Sequence, residues 1–111
     1  MRGWLWVTWG ATLNDMTVRE QVGAMREEIL RVAEAHGARH VRLFGSAARG
    51  EESMGSDVDL LVTMAPGRTL LDLARLEERL ERLLNRRVDV VPDTGLREPF
   101  RTTVLRDAMD V

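Results

Sequence analysis

Two stretches decide the fold: Leu43-Phe44-Gly45-Ser46-Ala47-Ala48-Arg49-Gly50 and, after a short polar interval, Asp57-Val58-Asp59-Leu60-Leu61-Val62-Thr63. The first closes a short, partly alternating, β-branched run, Arg39-His40-Val41-Arg42-Leu43-Phe44, which reads as a strand ending in glycine. The second opens on two aspartates and continues as an apolar strand. Asp57 and Asp59 are two apart, so strand geometry puts both side chains on one face, roughly 7 Å apart along the backbone.

Upstream, Thr17-Val18-Arg19-Glu20 has the form of a capping box and predicts one helix from Thr17 to His36. Its apolar face is Val18, Val22, Met25, Ile29, Val32 and His36, with Gly37 as the stop. Downstream, Pro66-Gly67 breaks the chain and Thr69-Leu70-Leu71-Asp72 starts a second helix. Leu73, Leu76, Leu80, Leu83 and Leu84 form its apolar stripe. Arg75, Glu77, Glu78, Arg79, Glu81 and Arg82 read as a solvated, ion-paired face. A third strand, Arg87-Val88-Asp89-Val90-Val91, stops at Pro92. The tail from Arg97 to Met109 predicts a last short helix with Phe100, Val104 and Leu105 facing inward. The order helix, strand, strand, helix, strand, helix implies an α/β (α+β) layer, a small sheet with helices packed on it. Periodicity leaves the strand order open.

Composition narrows the chemistry. With 111 residues, 44% of them apolar, the chain holds one domain with a real core. Cysteine is absent, which excludes disulfides, thiolate metal sites and cysteine nucleophiles. All 16 basic residues are arginine, so a P-loop lysine and Schiff-base chemistry are excluded too. Tyrosine is absent. A net charge of −2 argues against a generic duplex-DNA or membrane-surface binder, so no direct nucleic-acid or membrane partner is expected. No run approaches the ~20 apolar residues of a membrane helix.

The amino end carries Trp4, Trp6 and Trp9 in a short apolar run broken by Gly10, without a signal-peptidase site. Residues 1–16 are therefore expected to be an extension of a domain spanning 17–111. A mis-called start fits as well, because Met16 directly precedes the first helix signal. A chain beginning at Met16 is expected to fold and function like the full one, in the cytoplasm.

The chemistry gathers on carboxylates. Aspartate is disfavoured in strands and costly to bury unpaired. Asp57, Asp59 and Asp89 therefore need a cation, either arginine or a divalent metal, and hard carboxylate oxygens suit Mg²⁺ or Mn²⁺. Two carboxylates bridging a metal pair, with a third on one ion, align attack on phosphorus. Gly45 lets a phosphate approach the backbone, where free N–H groups and the Ser46 hydroxyl can hold its oxygens. Arg49 follows in the same turn and could steady a phosphate tail.

Gly45-Ser46, a ten-residue gap, then Asp57-x-Asp59 with Leu60-Leu61-Val62 behind resembles the signature of the polymerase-β-type nucleotidyltransferase superfamily. The likeness is strongest to its minimal nucleotidyltransferases, often encoded beside a HEPN-domain protein. It runs from about Thr17 to Val91 and includes Asp89. The resemblance implies the nucleotidyltransferase fold, with ATP phosphates on Gly45 and Ser46 and Mg²⁺ on Asp57, Asp59 and Asp89; Arg49 is the candidate third phosphate contact, against a plain surface arginine. It also implies that Asp89 is the base for an attacking hydroxyl. In such pairs the antitoxin transfers AMP from ATP to a tyrosine of the HEPN toxin, a ribonuclease.

Blander and rival readings stand beside this one. Asp57 and Asp59 could be turn residues at a strand start. Haloacid-dehalogenase-type phosphatases also use Asp-x-Asp, but there the apolar strand precedes the pair. His36 reads as a packed or capping residue, His40 as strand surface and Asp93 as a turn residue. Ser46 has no His/Asp pair to activate it. At the level of function, a binding-only antitoxin and a free-standing small-molecule nucleotidyltransferase are the alternatives.

Overall fold

A computed structural model describes residues 16–50 and 57–111. The tryptophan-bearing extension, except for Met16, and the interval 51–56 lie outside the described residues.

The capping box forms as expected. The Glu20 N–H donates to Thr17 Oγ1 at 3.2 Å, and Glu20 Oε1 accepts from the Thr17 N–H at 2.9 Å. The single helix predicted from Thr17 to His36 is instead two, α1 (Val18–Ala24) and α2 (Arg26–Ala35). Met25, at φ −110° and ψ 20°, interrupts the helical geometry between them. Gly23, two residues earlier, weakens the helix there because it lacks a side chain to favour the α region. Gly37, at φ +89°, takes the left-handed position just past α2, and its N–H donates to the Glu34 carbonyl. The His36 ring meets the Val32 carbonyl at 2.9 Å, a capping contact.

Four strands form one mixed sheet in the order β3-β2-β1-β4. They are β1 (Ala38–Phe44), β2 (Val58–Met64), β3 (Val88–Pro92) and β4 (Met109–Asp110). β1 pairs antiparallel with both β2 and β4, and β2 pairs parallel with β3. A parallel pair needs a long crossover, and helix α3 (Leu70–Leu84) supplies it. Asp72 opens α3 by accepting from the Thr69 N–H at 2.8 Å, and that bond holds its carboxyl below the usual range.

Alternation along the strands sorts the core onto two faces. Val41, Leu43, Val58, Leu60, Val62 and Val88 pack with Val18, Val22, Ile29 and Ala33 and with Leu76, Leu80 and Leu84 of α3. On the opposite face Phe44 and Leu61 pack with Leu96 and with Val104 of α4 (Phe100–Asp107). Phe100, which its spacing predicts to face inward, is instead 58% exposed. The helix docks through Val104, Leu105 and Ala108, and its first residue overhangs. No helix among the described residues is long and apolar enough to cross a membrane.

One buried polar residue ties the ends of the helical layer together. Gln21 is fully buried; its Nε2 donates to the Leu84 carbonyl at the end of α3 at 2.6 Å, and its Oε1 accepts from Arg86. Arg86 also donates to the Met16 carbonyl. Replacing Gln21 with methionine keeps the shape but removes these bonds and strands a helix-terminal carbonyl. The expected loss is about 1–3 kcal/mol, read as a lower urea midpoint at unchanged slope.

Candidate active site

The aspartates lie on the sheet face that carries Leu61 and Phe44, at the end where β1 finishes and β2 begins. Asp59 is the central residue: its backbone partners are Phe44 in β1 and Asp89 in β3. In-register partners on parallel strands point to the same face, at the strand spacing of about 4.8 Å. Asp57 stands just before β2 and is exposed, as is Asp89, while Asp59 is half-buried. The Val58 N–H donates to the Arg87 carbonyl at 2.8 Å and pins the start of β2 to β3 beside both outer carboxylates.

β1 runs from Phe44 into a compact turn spanning Gly45 to Gly50. The Arg49 N–H points at the Gly45 and Ser46 carbonyls, at 3.3 and 3.2 Å, and the Gly50 N–H donates to Ala47 at 3.2 Å. Ala47 is buried and anchors the turn, Ser46 is half-buried and Arg49 is exposed. Gly45 has φ +77°, a left-handed conformation that side chains disfavour. It also sits against the central carboxylate: a Cβ at Gly45 would come within 2.5 Å of Asp59 Oδ2. The glycine is needed twice over, for its backbone and for the space it leaves to Asp59.

Electrostatics mark the same place. Burial raises the Asp59 pKa above the ordinary carboxylate value, and the nearby charges of Asp89 and Asp57 raise it further. Asp57 and Asp89 line a cavity of about 220 Å³ with Glu77, Glu81, Arg87 and Val88. Among the described residues, no three acidic or histidine side chains stand close enough to grip one ion between them. A larger cavity, about 600 Å³, lies at the opposite end of β1 around Gly37 and Ala38. Its charged lining is Arg31, Arg39, Arg68 and Glu34, and it reaches none of the three aspartates.

The structure therefore brings Gly45, Asp59 and Asp89 together, with Asp57 and the Ser46–Arg49 turn adjoining. Two features escape a reading of the sequence. Glu77 and Glu81, expected on a solvated face, reach the outer edge of β3 (Val90 N–H to Glu77 Oε2 at 3.0 Å, Val88 N–H to Glu81 Oε2 at 3.1 Å). Asp93, expected as a simple turn residue, accepts from the Thr63 hydroxyl at 2.6 Å and faces Arg42 at 3.8 Å. It braces the far end of the same sheet face. A four-residue acidic step on a helix packed beside an edge strand is the available signal for the first. Nothing local signals the second.

Comparison with known proteins agrees with this geometry. A family model described as a nucleotidyltransferase domain matches residues 25–110. The chain is 38% identical over 96 residues to the protein adenylyltransferase MntA of Thermococcus cleftensis, covering 86% of this chain and 97% of that one. A solved structure provisionally described as a minimal nucleotidyltransferase is 51% identical with a TM-score of 0.75, covering 83% of this chain and 94% of the other. A more distant chain comes from a complex of tri-AMPylated Shewanella oneidensis HEPN toxin with MNT antitoxin. It shares the fold at a TM-score of 0.61 and 18% identity, over 79% of this chain and 69% of that one. With a glycine turn laid against an in-register pair of strand carboxylates, a family model matching residues 25–110 and a relative 38% identical over 86% of this chain, the protein belongs to the nucleotidyltransferase domain family.

Proposed function

We propose that this protein is an ATP-dependent protein adenylyltransferase, the antitoxin of a toxin–antitoxin pair, which neutralises a HEPN-type toxin by transferring AMP to a tyrosine of it. The observation that carries the reading is the placement of Asp59 between Gly45 and Asp89. The likeness to MntA, and to a chain from an AMPylated toxin–antitoxin complex, supports protein as the acceptor. We place the protein in the cytoplasm, where ATP is available.

The three carboxylates do not close around a single ion as they stand, but their donor chemistry suits a divalent cation. Asp57, Asp59 and Asp89 are hard oxygen ligands, and the mutual repulsion felt at Asp59 is the kind that positive charge relieves. These three residues would hold Mg²⁺ or Mn²⁺, which when bound offsets the charge of triphosphate and carboxylates together. The chain's own residues do the rest. Backbone N–H groups at the start of the turn, ahead of the Arg49 and Gly50 N–H groups that close it, and the Ser46 hydroxyl hold phosphate oxygens, with the Arg49 side chain steadying the tail. Asp89 takes the proton from the acceptor hydroxyl as its oxygen bonds to the α-phosphorus. The bond from that phosphorus to the bridging oxygen breaks, and pyrophosphate leaves.

This chain holds no tyrosine, so a tyrosine acceptor has to come from outside it, and the HEPN-type partner is the proposed source. The partner's surface then supplies the orientation that makes transfer effectively unimolecular. With Mg²⁺ and labelled ATP, the protein alone is expected to show negligible self-labelling. Adding the HEPN-type partner is expected to yield intact masses raised by one or more AMP units on the partner only. Strong self-labelling would overturn the acceptor assignment, and an unmodified yet inhibited partner would replace transfer with masking.

A further inference from the structure

Asp89 sits on β3, which is the outermost strand of the sheet. An edge strand has one row of backbone groups without strand partners, and such a row can fray or recruit another chain. Here the two outward N–H groups that flank Asp89 are both taken. The Val88 N–H donates to Glu81 Oε2 and the Val90 N–H to Glu77 Oε2, both carboxylates coming from α3. Two residues on a strand advance about 6.6 Å, and four on a helix about 6 Å. The steps match, and with Glu77 opposite Val90 and Glu81 opposite Val88 the helix runs antiparallel to the strand.

We propose that Glu77 and Glu81 are positioning residues for Asp89, a two-point carboxylate clamp that holds the third aspartate in register beside Asp59. The inference rests on the proposed role of Asp89 as cation ligand and base. Hydrogen bonds to ionised acceptors are the stronger kind, and they bracket Asp89 by one residue on each side. The opposite edge of β3 is held by its pairing with β2, where Asp89 lies against Asp59. Without the clamp, β3 would be held by that pairing and by the packing of Val88 and Val90 on the core, with nothing fixing its outer backbone edge beside the exposed Asp89. The same two carboxylates keep a foreign strand from adding beside the site.

The test compares E77A, E81A, the double E77A/E81A and the double E77Q/E81Q in the AMP-transfer assay, with D89N alongside. Glutamine keeps a carbonyl oxygen that can accept the same N–H, while alanine removes it. For the alanine double variant, assayed well below its melting temperature, kcat is expected to fall about 10- to 100-fold. KM for ATP should stay within about two-fold, because the Gly45–Gly50 turn is untouched. Amide exchange at Val88 and Val90 should quicken by about 10-fold, and the glutamine pair should restore both turnover and protection. Should the double alanine variant fail to fold, the single variants carry the same comparison. Wild-type kcat in folded alanine variants overturns the inference while leaving the function intact, as does a glutamine pair as slow as the alanines. An active D89N overturns the assignment of Asp89 itself, and the clamp's catalytic purpose with it.

Discussion

The double variant Asp57→Asn, Asp59→Asn is expected to lose AMP transfer to the partner by at least about 1000-fold, since removing single electrostatic contacts at such sites already costs ~100- to 1000-fold. Both residues are proposed to hold the cation, and an amide oxygen is neutral and a far weaker partner for it. The fold should survive. Asp57 is exposed, and among the described residues the Asp59 side chain makes no hydrogen bond or ion pair that secures the sheet. The ionised Asp59 is disfavoured by burial and by the charges of Asp89 and Asp57, so its neutralisation removes repulsion. The melting temperature should therefore equal or exceed that of the parent protein. Intact-mass labelling and a thermal melt on the same sample check both halves. Transfer persisting in a folded double variant would exclude the carboxylate site.

Gly45→Ala should damage the site without removing any functional group. Alanine at φ +77° carries a backbone penalty of about 1–2 kcal/mol. Its methyl would also come within 2.5 Å of Asp59 Oδ2, so either the carboxylate or the turn has to move. Displacements of this size in a catalytic constellation cost on the order of 100-fold in rate. Gly67→Ala separates the two effects. Gly67 has φ +85° with nothing within 4 Å of a built Cβ, and it lies in the loop between β2 and α3. It should lower the melting temperature by a similar amount, roughly 5 °C per kcal/mol, with transfer unchanged. If both variants lose activity in proportion to stability, the contact between Gly45 and Asp59 has no special role.

Much of this site is legible in the order of residues. Strand parity puts Asp57 and Asp59 on one face, and the glycine after Phe44 marks where the chain turns. The helix starts at Thr17 and Thr69 follow from local capping chemistry, which needs only residues three apart. The departures are equally local in cause. The helix through Met25 looks continuous because its apolar period is unbroken, while the backbone cost of Gly23 does not show in that period. Phe100 matches the inward face by spacing, but the helix docks by its far end.

Residue order alone determined the three main strands, the capped helix starts and most of the core, because periodicity, capping and turn formation are short-range. The tertiary structure decided which strands are neighbours. Only the parallel pairing of β2 with β3 sets Asp89 against Asp59, and only the approach of β1 to β2 lays Gly45 over the Asp59 carboxylate. The two-residue strand β4 exists only because β1 offers it an edge. Glu77 and Glu81 look like any solvated helix face until α3 is packed against β3. In each case the deciding contact joins segments distant in the chain, and its register comes from how the whole core closes, which no local pattern of residues encodes.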